Sequence, residues 1–159
     1  MCSSDLAVNL DVDNWQALAG LGDLALRRSS PREAVRYFRD SLEVGPATAW
    51  VHVNLGDALR AIGSFNEARV AYDEALVLAP GTLPAGLGLA AVHIERGDFL
   101  DATRVYDDIA ARFPDATEVR HNRGIARLSL ADFAGAIEDF QAVVARRPGD
   151  TEARLRLGV

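Results

Sequence analysis

Three histidines, His52, His93 and His121, are the side chains best suited to hold a metal ion. A zinc site draws several nitrogen, sulfur or carboxylate ligands together. None of the three has a second histidine or cysteine three or four residues away, and each belongs to a different segment of helical pattern. They read as surface or groove side chains, with His121 the one expected to face a binding surface. Gly20-Leu21-Gly22 and Gly86-Leu87-Gly88 look like phosphate loops, yet no strand pattern precedes them and no Lys-Ser/Thr pair follows. Close packing of helices explains them better. Asp107-Asp108 and Glu138-Asp139 are paired carboxylates of the kind acid–base catalysis uses. Adjacent residues on a helix diverge instead of converging on one point, so the expectation is solvated charge. No serine sits in a recognisable nucleophile elbow. Cys2 is the sole cysteine, which leaves no internal disulfide and no cysteine metal site. The sequence therefore supports no catalytic residues, no metal site and no cofactor.

The elements carrying these residues repeat. Pro46, Pro80, Pro114 and Pro148 follow one another at 34-residue intervals. Ala34, Ala68, Ala102 and Ala136 keep the same step, as do Phe38, Tyr72, Tyr106 and Phe140. Gly22, Gly56, Ala90 and Gly124 form a small-residue column, and Pro31, Phe65, Phe99 and Phe133 a ring column. Columns locked without insertion or deletion define the architecture before any single element is assigned.

Each column has a physical reason. Two amphipathic helices must pack as a short antiparallel pair, and the Gly/Ala and Ala columns let their backbones approach. The Phe/Tyr column fills the gap between that pair and the next first helix, where a large flat side chain buries most area. Proline ends the second helix, since its ring and missing N–H cannot extend the ladder. Gly63 and Gly97 stand where the first helix should stop in a left-handed conformation. Ser64 with Glu67 and Ser30 with Glu33 read as capping boxes, each cap contributing about 1 kcal/mol, with Pro31 at a first helical position. Asp98 and Asp132 occupy the same cap place.

The pattern from Ala49 to Thr82, with Asn54-Leu55-Gly56, Gly63, Phe65, Glu67-Ala68, Tyr72, Ala75-Leu76 and Pro80, resembles the tetratricopeptide repeat. The resemblance covers residues 15–48, 49–82, 83–116 and 117–150. It implies an all-α fold, an α-solenoid of antiparallel helix pairs wound as a right-handed superhelix. Arg123 departs from the pattern where Leu21, Leu55 and Leu89 stand, and Ser29 and Ala131 replace the usual turn glycine.

The resemblance also implies where function lies. First helices of such repeats line a concave groove that takes an extended peptide or a partner's helix. The family's groove places fall on Gln16, Ala19, Gly20 and Asp23, then Trp50, Val53, Asn54 and Asp57. The third repeat gives Pro84, Leu87, Gly88 and Ala91, and the fourth Glu118, His121, Asn122 and Ile125. Asn54 and Asn122 stand out, because an amide can hydrogen-bond a ligand's backbone whatever its sequence; the alternative is that they bond only within their own repeat. Chaperone-adaptor relatives grip a terminal carboxylate with Lys, Asn and Arg. The matching places here are Leu87, Ala91, Asn122, Glu152 and Arg156, and Glu152 would repel that ligand.

Composition narrows the remaining classes. The 159 residues are 49% hydrophobic, enough for a packed core and against disorder. The net charge of −6 argues against a nucleic-acid partner. No stretch reaches the ~20 apolar residues of a membrane span. A cytoplasmic location is the default expectation, and the oligomeric state is open. All 17 basic residues are Arg, which reads as bacterial GC-rich codon usage. Residues 7–14 align with the tail of a preceding repeat and residues 151–159 with the start of a fifth. Residues 2–6 match the translation of a sequencing-adapter end, so the chain reads as a gene fragment. The leading expectation is a protein–protein interaction scaffold. A second is the repeat region of a larger bacterial enzyme such as a glycosyltransferase or sulfotransferase, suggested by Asn122-Arg123-Gly124. A self-assembling array is a third.

Overall fold

The computed structural model describes residues 4–158, with side chains from Asn14 onward. The position of Cys2 lies outside them. The described residues form α1 (Ser4–Arg27), α2 (Pro31–Val44), α3 (Ala49–Ala61), α4 (Phe65–Leu78), α5 (Leu83–Arg96), α6 (Phe99–Arg112), α7 (Thr117–Ser129), α8 (Phe133–Arg146) and α9 (Thr151–Leu157). None is long and apolar enough to cross a membrane. α1 runs without a break across the junction of residues 14 and 15. Two compact units are present, Met1–Gly88 and Leu89–Val159. In the first, α1 packs on α2, α2 on α3 and α3 on α4; in the second, α6 packs on α7, α7 on α8 and α8 on α9.

The repeating turns close alike. The backbone N–H of Ser64 donates to Leu59 O at 2.9 Å, Asp98 N–H to His93 O at 2.8 Å, and Asp132 N–H to Arg127 O at 2.9 Å. Ser30 N–H likewise donates to Ala25 O at 2.9 Å. This reverse bond requires a left-handed residue just before it. Gly63 (φ 78°) and Gly97 (φ 81°) supply it, and Ser29 (φ 57°) and Ala131 (φ 58°) adopt the same conformation despite their Cβ atoms. The departures thus keep the turn, at a steric cost of about 1–2 kcal/mol for a non-glycine residue.

Capping departs from the sequence expectation. Ser30, Ser64 and Asp98 make no side-chain cap hydrogen bond. Glu67 is instead drawn to Arg39 on α2, and Asp98 lies 3.1 Å from Arg96 Nε. Glu33 accepts from Tyr37 Oη at 3.5 Å. At Asp98 the ion pair with Arg96 therefore competes with the cap. Only Asp132 of the expected set caps, accepting from Gly135 N–H at 3.0 Å; Asp150 does the same for Ala153 N–H at 3.0 Å.

The columns meet in the core. Ala34, Ala68, Ala102 and Ala136 are fully buried, and Phe38, Tyr72, Tyr106 and Phe140 almost so. A Cβ on Gly22 would come within 2.6 Å of the Phe38 ring, one on Gly56 within 2.6 Å of Tyr72, and one on Gly124 within 2.9 Å of Phe140. Tyr72 also faces Gly88, where a Cβ would stand 2.3 Å from the ring. The aromatic thus fills the space between its own first helix and the following one. Gly88 in the Gly-x-Gly pair of α5 is a packing residue, whereas Gly20 has open space about it.

Candidate functional site

In the first unit the sites expected on α3 divide into presented and committed residues. Trp50 is 46% exposed and its ring lies 6.4 Å from that of Trp15, tilted by 44°. Asn54 is half-buried, and its amide has no hydrogen-bond partner among the described residues. Val53, by contrast, is only 7% exposed and belongs to the core. Asp57 accepts a 2.6 Å hydrogen bond from the Tyr72 hydroxyl. Burial, and then the Asp57 carboxylate, holds the Tyr72 phenol well above its ordinary pKa, against the opposing effect of Arg60. That carboxylate is therefore spent on the core. Leu87 lies half-buried on α5.

The second unit brings three expected residues together. Ala91 from α5 and Asn122 and Ile125 from α7 line a depression of about 250 Å³ with Ile94, Glu95 and Tyr106. The Asn122 side-chain amide, like that of Asn54, has no hydrogen-bond partner among the described residues. The Tyr106 hydroxyl is also without a partner there, and burial pushes its pKa up to about 12. His121 is not among the lining residues. Its ring meets Phe140 edge-on at 5.8 Å, its Nε2 lies 3.6 Å from Glu152 Oε2, and its buried Nδ1 has no partner. Its expected place on a presenting surface is largely taken up by these contacts.

Two clusters escaped the sequence reading. Asp139 is not the solvated charge expected of it: it is 1% exposed. Its Oδ1 and Oδ2 accept from Arg123 Nη2 at 2.5 Å and Nε at 2.9 Å, and Arg127 Nη1 adds a bond at 2.9 Å. Asp107 on α6 accepts from Arg123 Nη1 at 2.8 Å. Hydrogen bonding to Asp139 is the leading cause that raises the Arg123 pKa. The sequence signal was there: Arg123 and Asp139 replace Leu55 and Ala71 of the second repeat together. Asp107, Asp108 and Glu138 are exposed as expected. A second depression, of about 410 Å³, lies on α3 and α4 beside Arg39 and is lined by His52, Leu55, Leu59, Val70 and Glu74. His52 Nδ1 is buried without a partner, and its pKa is lowered by burial, against the opposing charge of Glu74. Among the described residues no group of three His, Cys, Asp or Glu side chains converges as metal ligands would.

Tetratricopeptide-repeat family models match residues 12–81 and residues 89–156. The chain belongs to the tetratricopeptide-repeat family. Its fold is the α-solenoid of such repeats, shared with solved structures of low sequence identity. MamA from Desulfovibrio magneticus RS-1 aligns with a TM-score of 0.84 at 24% identity, over 92% of this chain and 82% of that one. YrrB, described as a TPR protein with an unusual peptide-binding site, aligns with a TM-score of 0.81 at 18% identity, over 98% and 80%. The first TPR of Spaghetti (RPAP3), solved bound to the HSP90 peptide SRMEEVD, gives 0.65 at 23% identity, over 69% and 87%. None of the curated proteins matches significantly.

Proposed function

We propose that this tetratricopeptide-repeat chain is a protein-interaction scaffold that binds an extended peptide or partner segment on its first helices and performs no catalysis itself. The observation that carries the reading is the state of Asn54 and Asn122. They stand 68 residues apart, two repeat lengths, and both keep an amide free of internal hydrogen bonds on a half-buried surface. Both amides are open to a ligand, and a peptide backbone offers each of them a donor and an acceptor. Trp50 beside Asn54, and Ala91 and Ile125 beside Asn122, supply apolar contact for side chains. The peptide-binding site named for YrrB and the HSP90 peptide bound to the Spaghetti repeat support the same use of the fold. A clamp for an acidic terminus is disfavoured, since Glu152 occupies its charge-bearing place and pairs with His121 and Arg156.

Pull-down of partners by the full chain, compared with an Asn54→Ala, Asn122→Ala double variant, tests the reading. Loss of the captured set in the double variant is expected. An identical set from both proteins would move the binding surface elsewhere.

A further inference from the structure

The depression on α5, α6 and α7 corresponds by repeat position to a filled place in the first unit. There the Tyr72 hydroxyl donates to Asp57 at 2.6 Å. One repeat later Ala91 stands in the place of Asp57, and Tyr106 in that of Tyr72. The exchange removes the acceptor, leaves the Tyr106 hydroxyl without a partner among the described residues, and opens the space that Ala91 lines. Asn122 is at the same depression with its own unpartnered amide.

We propose that this depression is a side-chain pocket for an extended peptide, accepting one neutral, mainly apolar residue while Tyr106 and Asn122 donate to the peptide's carbonyl oxygens. The inference rests on the peptide-binding reading above and adds a specificity to it. At about 250 Å³ the space falls below the roughly 300–1,000 Å³ typical of small-molecule sites, so it suits one residue of a longer ligand. Its walls, Ala91, Ile94 and Ile125, are apolar. Glu95, which has a contact of its own, is the one carboxylate in the lining, and no cation lines the space to offset its repulsion of an acidic side chain or a terminal carboxylate. A neutral carbonyl is the acceptor that meets the two donors without that repulsion. Backbone hydrogen bonds then give affinity, and the pocket selects the side chain.

Peptides selected from a random phage-displayed library on the full chain provide the probes. Ala91→Asp rebuilds the tyrosine–aspartate bond of the first unit at the matching place and closes the pocket with chemistry the fold already holds. Tyr106→Phe removes the donor and keeps the ring. The pocket predicts that selected peptides share an apolar position and that each substitution weakens them about tenfold, with thermal unfolding of the variants no earlier than that of the parent. Peptides that lose binding with Asn54→Ala, Asn122→Ala but ignore Ala91→Asp and Tyr106→Phe overturn the pocket and leave the groove standing. A library that yields no binder overturns both.

Discussion

The Arg123 guanidinium forks onto the Asp139 carboxylate through bonds of 2.9 and 2.5 Å, inside a helix pair whose counterpart in the second repeat is closed by Leu55 and Ala71. A buried ion pair returns little net stability, yet breaking it leaves a charge stranded and costs about 3–5 kcal/mol. Arg123→Leu alone should therefore lower the urea midpoint markedly, and Asp139→Ala should do likewise. Arg123→Leu, Arg127→Leu and Asp139→Ala together recreate Leu55, Leu59 and Ala71 of the second repeat, release Arg127 from the same carboxylate, and should restore most of the loss. Independent, additive effects in a double-mutant cycle would contradict this coupling.

The glycines separate by what faces them. Gly88→Ala drives a Cβ to 2.3 Å from a Tyr72 ring that is fully buried and held by Asp57, so the ring has nowhere to go. Overpacking of this kind costs about 1–3 kcal/mol. Gly20→Ala meets nothing within 4 Å and should stabilise the helix by roughly 0.5–1 kcal/mol. Chemical denaturation of the two variants side by side measures the contrast, and equal shifts would refute it.

Ala131→Gly should stabilise the chain by about 1 kcal/mol, because φ at 58° burdens an alanine and not a glycine. Loss of stability on that exchange would mean the left-handed turn is absent in solution.

His52 links stability to pH. Its pKa is lowered by burial, so the unfolded chain takes up a proton before the folded one does. Its contribution is present above the unfolded value near 6.5 and is lost as pH falls below it. His52→Leu, which copies Leu18 one repeat earlier, should flatten that part of the stability–pH curve. An unchanged slope in urea melts between pH 7 and 5 would exclude His52 as the source.

The repeat period made the fold legible, because the alanine, glycine and aromatic columns report close helix packing directly, and Gly63 and Gly97 report their turns. Caps were less legible. Ser64 and Glu67 have the right spacing for a capping box, yet Arg39, 28 residues upstream of Glu67, takes the carboxylate. That competitor is invisible to local pattern. Asp139 shows the same limit: a carboxylate next to Glu138 looks solvated until Arg123 and Arg127 are seen to meet it. The state of the expected groove residues was not legible. Asn54 and Asn122 were placed by repeat position, but that their amides are unpartnered, that Asp57 is committed to Tyr72, and that Ala91 opens a depression are facts of packing.

Backbone hydrogen exchange of the full chain, with and without a peptide selected on it, locates the binding surface. Peptide binding on the first helices predicts slowed exchange in α3 or α7, centred on Asn54 or Asn122 and abolished by alanine at that residue. Slowed exchange confined to α2, α4, α6 or α8, with α3 and α7 unchanged, would contradict it.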